Sequence, residues 1–214
     1  QELLLFEQMG PRLKPDLVVL VVCDNDFNQN TQDFVYDAYY KPFFQGPALT
    51  LEGTPVPRLT TGQATRLWLG RHSNIWNAFR TRASSDARGA ALVGLFAVAR
   101  PRPTTEDPVD LTFRLLERLR ERVHEEKAEL VLFNTGHRGE RLRFYRDLRP
   151  RLDASGFLHF SFEGPLEEAR AAQPSRYWDF GADFHWNVAA HHLAAEVTRY
   201  YIARWRLIGE PSPE

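Results

Sequence analysis

The sequence holds one cysteine, Cys23, in 214 residues. That excludes an internal disulfide and any zinc site built on several thiolates. An excess of charge of one sign is also lacking: 27 Lys and Arg stand against 28 Asp and Glu, for a net charge of −1. A balanced surface gives no global pull toward nucleic acid or an anionic membrane. No apolar run approaches the roughly 20 residues that cross a bilayer, so this chain carries no membrane segment of that kind. There is no internal repeat and no low-complexity block. The chain opens at Gln1 without an initiator methionine, and QELLLFEQM reads as the inside of a helix. The sequence therefore predicts polypeptide upstream, and the absence of a signal-peptide pattern at Gln1 leaves the compartment open. What remains is an ordinary globular balance, 43% apolar and 26% charged, in a length that can bury a full core.

Along the chain, Leu3 to Phe6 give an opening helix its apolar side, and Gly10-Pro11 is expected to end it. LVVLVV (17–22) has the composition of a strand buried on both faces of a parallel sheet. Polar DNDFNQN follows at once. Residues 31–105 read as an irregular insertion or lid, with prolines and glycines, a hairpin around Leu49–Leu51 and Val56, and a helix over 72–81. Asp107 is the expected N-cap of a helix with Pro108 in its first turn and a stripe of Val109, Phe113, Leu116, Leu119 and Val123. Strands are expected at 129–133 and 157–160, with a helix at 144–152 between them. Asn187 caps a last helix with Ala190, Leu193, Ala194, Val197 and Tyr201 on one face, and the tail 209–214 is polar. Strands alternating with helices predict an α/β class with a parallel sheet, here one domain over 1–214 without an evident boundary.

In such sheets ligands bind outside the carboxyl ends of the strands. Two polar groups fall there: Asp24-Asn25-Asp26 after LVVLVV, and Asp183 with His185 in the segment before the last helix. A histidine acts as general base when a carboxylate holds its other ring nitrogen. Asp183 reaches that nitrogen if the intervening segment bends. An asparagine amide at a strand end can donate to a developing oxyanion, an interaction worth about 3 kcal/mol of barrier. Base, orienter and oxyanion donor are then present, and the nucleophile is missing. Asp26 reads as a loop anchor. None of Ser73, Ser84, Ser85, Ser155, Ser161 and Ser175 sits on a strand-to-helix elbow. A metal reading would use Asp183, His185 and one of His191 and His192, which diverge by about 100° on a helix. His72, His124, His137 and His159 read as surface or packed histidines. Gly136 to Gly139 follows a strand end and borders the site. Trp68, Trp76 and Tyr36–Tyr40 serve either core packing or a sugar or acyl cleft, packing being the commoner use.

"PDLVVLVVCDNDFNQNT" resembles the third block of the SGNH (GDSL-like) hydrolases, and "DFHWNVAAHHLA" resembles their last block. The D-x-H-W form is most similar to the branch that includes bacterial polysaccharide O-acetylation enzymes. "ELVLFNT" and "QELLLFEQMGPRLKPDLVVL" fit the family's penultimate strand and the helix after its second block. The resemblance covers most of the chain, with 31–105 matching loosely. It implies a three-layer α/β/α, flavodoxin-like fold with a central parallel sheet. It also implies an esterase or O-acyltransferase that works through a serine acyl-enzyme, on acylated carbohydrate if the D-x-H-W form is followed, with no metal or organic cofactor and an extracytoplasmic setting. Asn25 matches the oxyanion asparagine, His185 the catalytic histidine and Asp183 its acidic partner. Cys23 and Ala190 stand where the family has glycine. No Gly-Asp-Ser occurs, so the serine block and the second block would lie before Gln1, and residues 1–214 alone are expected to be inactive. A non-catalytic carbohydrate-binding relative and a metal-dependent hydrolase are the competing expectations.

Overall fold

The computed structural model describes residues 1–35, 39–83, 106–136, 143–180 and 183–207, with side chains for all of these but 79–83, 183 and 184. The single domain read from sequence divides into two compact units, Gln1–Asn28 with Asp107–Glu214, and Gln29–Glu106.

The first unit is mixed α/β. Strands β1 (Leu17–Val22), β6 (Glu129–Asn134) and β7 (Leu158–Ser161) form a parallel sheet in the order β1-β6-β7. The register runs from Leu17↔Glu129 to Val22↔Asn134, and from Val131↔Leu158 to Asn134↔Ser161. Alternation sends Val131 and Phe133 to one face, where Phe162, Leu166, Trp178 and Ala190 complete a buried cluster. Two helices supply that cover, α7 (Glu163–Ala172) and α8 (Val188–Arg204). The predicted stripe of α8 packs there: Leu193, Ala194, Val197 and Tyr201. On the opposite face lies α5 (Pro108–Glu125), with α1 (Glu2–Leu13) and α6 (Arg143–Ala154) against it. α5 starts as expected. Asp107 accepts from the Val109 and Asp110 N–H groups at 2.9 Å each, and Pro108 fills the first turn. Its buried stripe adds Leu111 and Thr112 to the predicted residues, while Phe113 is half-buried, edge-on to Phe157.

Several expectations are corrected. α1 runs through Gly10-Pro11 to Leu13 and ends at Lys14, whose N–H reaches the Gly10 carbonyl from a left-handed conformation (φ 48°). A proline in the final turn removes only one helical bond, too little to stop the helix earlier. β1 is not buried on both faces: Val19 and Val21 are 41% and 47% exposed. They stand in register with Val131 and Phe133, and of that face of β1 only Leu17 packs against the Val131 and Phe133 cluster. The stretch DNDFNQN is the short helix α2 (Asp24–Asn30), not a loop. Asp26 accepts the Cys23 N–H at 2.7 Å, and Phe27 is fully buried in a stack on Phe144. The strand expected at 157–160 is shifted by one residue, and α7 went unforeseen.

The second unit contains two small antiparallel pairs, β2 (Phe34–Val35) with β3 (Tyr39–Tyr40), and β4 (Phe43–Gln45) with β5 (Thr50–Glu52). The hairpin therefore turns at 46–49, where Gly46 and Leu49 take positive φ, and does not use Val56. Helix α3 (Thr61–His72) was missed despite its capping box of Thr60 and Gln63. α4 (Asn74–Ala83) begins where the Ser73 hydroxyl accepts the Trp76 N–H, two residues later than expected. Tyr36, Ser84, Ser85, His137 to Gly139 and the 209–214 tail lie outside the described residues.

Candidate functional site at the carboxyl ends of the strands

The three parallel strands end on a buried carboxamide. Asn134, 1% exposed, donates from Nδ2 to the Val22 carbonyl at 3.2 Å and accepts at Oδ1 from the Gly136 N–H at 3.0 Å. The Ser161 hydroxyl lies 3.4 Å from the same oxygen. One side chain thus ties the ends of β1, β6 and β7, where the ladder alone would leave the terminal groups unpaired. The Thr135 N–H donates to the Val22 carbonyl, and the Ser161 hydroxyl accepts the Glu163 N–H at the start of α7. Gly136 has φ +67°, and a Cβ there would sit 2.3 Å from the Glu163 nitrogen. Glycine is required so that the backbone leaving β6 can pass under the start of α7. Sequence reasoning placed Gly136 on the border of the site but missed Asn134. The available signal was a polar residue closing an uninterrupted apolar strand.

Beside this staple lies the polar turn after β1. Asp24 is buried, Asn25 is exposed on the first turn of α2, and Asp26 anchors the turn as expected. Burial holds the Asp26 carboxyl above its ordinary 3.8, opposed by the Cys23 N–H bond. Burial, with the nearby Asp26 charge, also raises the Cys23 thiol, against a hydrogen bond from Thr135. A thiol held in its neutral form is a poor nucleophile.

Asp183 and His185 do not lie in a loop. They belong to β9 (Asp183–Trp186), which pairs with β8 (Asp179–Phe180) in an antiparallel ribbon. The ribbon pairs Asp179 with Trp186 and Phe180 with Asp183, so its register shifts along the stretch that holds His185. The side chain of Asp183 lies outside the described ones, and His185 is exposed. Trp186 meets the Phe162 ring edge-on at 5.2 Å, which fastens the ribbon at the carboxyl end of β7. Asn187 locks the ribbon to α8. Its Oδ1 accepts from the Ala189 and Ala190 N–H groups, and its Nδ2 donates to the Tyr177 carbonyl at 2.7 Å. Asn25 thus follows β1 at the carboxyl end of the three-stranded sheet, while His185 lies on the separate β8–β9 ribbon.

The other candidates take ordinary roles. His191 donates its N–H to the Asn187 carbonyl and stands edge-on to Trp186, as a helix-start residue does. Among the described residues no group of three His, Cys, Asp or Glu gathers as a metal site requires. His159 has partners that the sequence did not announce: Tyr145 at 2.8 Å and Asp153 at 2.9 Å. Trp68 is not a core residue. It is 58% exposed, with its ring stacked on His72, and Tyr39, 46% exposed, accepts from Arg71.

The described fold defines a mixed α/β protein with a parallel three-stranded sheet. None of its helices is long and apolar enough to cross a membrane among the described residues. Comparison with protein-family models, curated proteins and solved structures returns no match.

Proposed function

We propose that this chain is the larger part of a serine-dependent acyl-ester hydrolase or O-acyltransferase of the SGNH type. The observation that carries the reading is the pair of polar segments at the carboxyl rim: Asn25 directly after β1, and His185 on the ribbon fastened at the end of β7. In this reading His185 takes the proton of a serine hydroxyl supplied by polypeptide outside residues 1–214. The serine oxygen adds to the ester carbonyl, Asn25 donates to the oxyanion, and His185 returns the proton to the departing alcohol. Water or a sugar hydroxyl then takes the acyl group by the same steps in reverse order. Asp183 orients the imidazole. The acylated-carbohydrate substrate rests on the D-x-H-W resemblance. In the polypeptide that includes the serine block, His185→Ala is expected to lower hydrolysis of p-nitrophenyl acetate by about 10²–10⁴-fold, and Asn25→Ala by about 10². Unchanged turnover in His185→Ala removes the histidine from the mechanism and the reading with it. A non-catalytic carbohydrate-binding module is the second reading, favoured by exposed Trp68 beside His72. It requires no serine block upstream.

A further inference from the structure

The second unit carries a charge imbalance that the balanced total conceals. Residues 53–85 contain Arg58, Arg66, Arg71, Arg80 and Arg82 and no Asp or Glu. Within that stretch α3 brings an aromatic ring and a fixed cation onto one turn. Trp68, Arg71 and His72 are spaced three and four apart, so their side chains are neighbours on the helix surface. The His72 imidazole stacks on the Trp68 ring, with centroids 5.1 Å apart and planes inclined by 17°. Trp68 is nonetheless 58% exposed, so the indole keeps a surface open to solvent. The Arg71 guanidinium donates to the Tyr39 hydroxyl at 2.6 Å. A neutral phenol holds the guanidinium in place without cancelling its charge, and among the described residues no carboxylate pairs with it. His72 Nδ1 lies 2.9 Å from the Trp68 carbonyl, which can only accept. The ring proton therefore sits on Nδ1, and in the neutral imidazole Nε2 is left as an acceptor. The helix is anchored at both ends. Gln63 accepts the Thr60 N–H and donates to the Tyr40 hydroxyl at 2.9 Å, and Asn77 of α4 donates to the Gly70 carbonyl at 2.8 Å. A turn fixed in this way loses little freedom when a ligand settles on it.

We infer that this turn binds a carboxylate-bearing sugar chain, with a pyranose ring on Trp68 and its carboxylate on Arg71. The inference deepens the carbohydrate-binding reading and rests on it for the choice of a sugar; it does not depend on the acyl-transfer chemistry. Three features select the occupant. An open indole surface takes the flat C–H face of a pyranose. The remaining N–H groups of an unneutralised guanidinium take a carboxylate in charge-assisted bonds. An imidazole acceptor takes a hydroxyl proton, which sugars offer and phosphodiesters lack. A sugar acid bears its carboxylate on a ring carbon, which suits partners one helical turn apart. A nucleotide instead separates its flat base from its phosphate by a ribose. The test is calorimetric titration of residues 1–214, with the Trp68 indole N–H followed by NMR to locate the site. Oligogalacturonate is expected to bind, to shift that signal, and to weaken as salt is raised, with dextran at least about tenfold weaker. Trp68→Ala and Arg71→Met each lower the oligogalacturonate affinity about tenfold. Trp68→Phe, Arg71→Lys and Tyr39→Phe lower it less. Trp68, Arg71 and Tyr39 are exposed, so these variants are expected to fold as the parent does. Equal binding of dextran overturns the inference and leaves plain carbohydrate binding in place. Equal or tighter binding of polyglutamate, oligothymidylate or phosphatidylglycerol vesicles overturns the sugar assignment. Oligogalacturonate binding that is unchanged in Trp68→Ala and Arg71→Met overturns the site. Failure of both sugars to bind overturns the inference together with the carbohydrate-binding reading, whereas failure of acyl transfer shows separately as hydrolysis insensitive to His185→Ala.

Discussion

At the scale of single residues, the rim of the sheet depends on groups that make contacts no other residue type would reproduce. Gly136 is the sharpest case. Alanine there meets the Glu163 backbone and keeps a positive φ, so Gly136→Ala is expected to cost about 2–4 kcal/mol in urea denaturation. A change below 1 kcal/mol would mean that the start of α7 yields more easily than its packing implies. Asp26 predicts a pH effect. Its folded carboxyl is raised above 3.8 by burial, so the folded state holds the proton more tightly. The stability this group contributes is complete below that value and is lost as pH rises through the folded pKa. Asn at position 26 keeps an acceptor for the Cys23 N–H and removes the buried charge. Asp26→Asn is expected to match or exceed the parent in stability at pH 7, and to gain less on acidification toward pH 4. Identical pH slopes for the two proteins would contradict this. The anchoring role of Asp26 was legible because a polar residue at a strand end has few structural uses. Asn134 was not, because two of its partners come from β1 and β7, whose adjacency to β6 no local pattern encodes.

At the scale of elements, the helices and the central strand were legible where period and caps agree, as in α5 with Asp107, Pro108 and its apolar stripe. The failures have local causes. β8 is two residues long, too short for any alternation, so β9 read as a loop. α3 has a weak apolar stripe and only its cap to announce it. Docking of α6 onto β7 is the least legible contact. It runs through the chain Tyr145–His159–Asp153, with His159 on β7 facing away from the Phe133 cluster. Burial, together with Asp153 and against Arg149, pushes the Tyr145 hydroxyl up to about 12. Ultraviolet titration is expected to show a tyrosine ionising near that pH. Tyr145→Phe should remove that step and cost about 1 kcal/mol through loss of the bond to His159. A titration curve unaltered by the substitution would break the assignment.

At the scale of the whole molecule, the α/β class and the parallel sheet follow from the alternation of strand and helix patterns, and both are present. The compact grouping of residues 29–106 was less legible. Prolines and glycines there suggested irregularity, yet among the described residues hairpins and helices organise much of that backbone. The burial of β1 was misread for a similar reason. LVVLVV has the composition of an enclosed strand, but composition does not say how far the covering helices extend. Val21, 47% exposed, belongs to an open apolar strip of the kind that promotes association. Val21→Lys is therefore expected to change folding stability by less than about 0.5 kcal/mol while reducing turbidity on heating, measured by light scattering. Equal scattering from the two proteins would show that the strip is inert. The Asn187 clamp has a consequence for engineering. Because one carboxamide joins the segment entering β8 to the helix start, a graft of the imidazole would have to bring Tyr177 and the start of α8 along with Asn187.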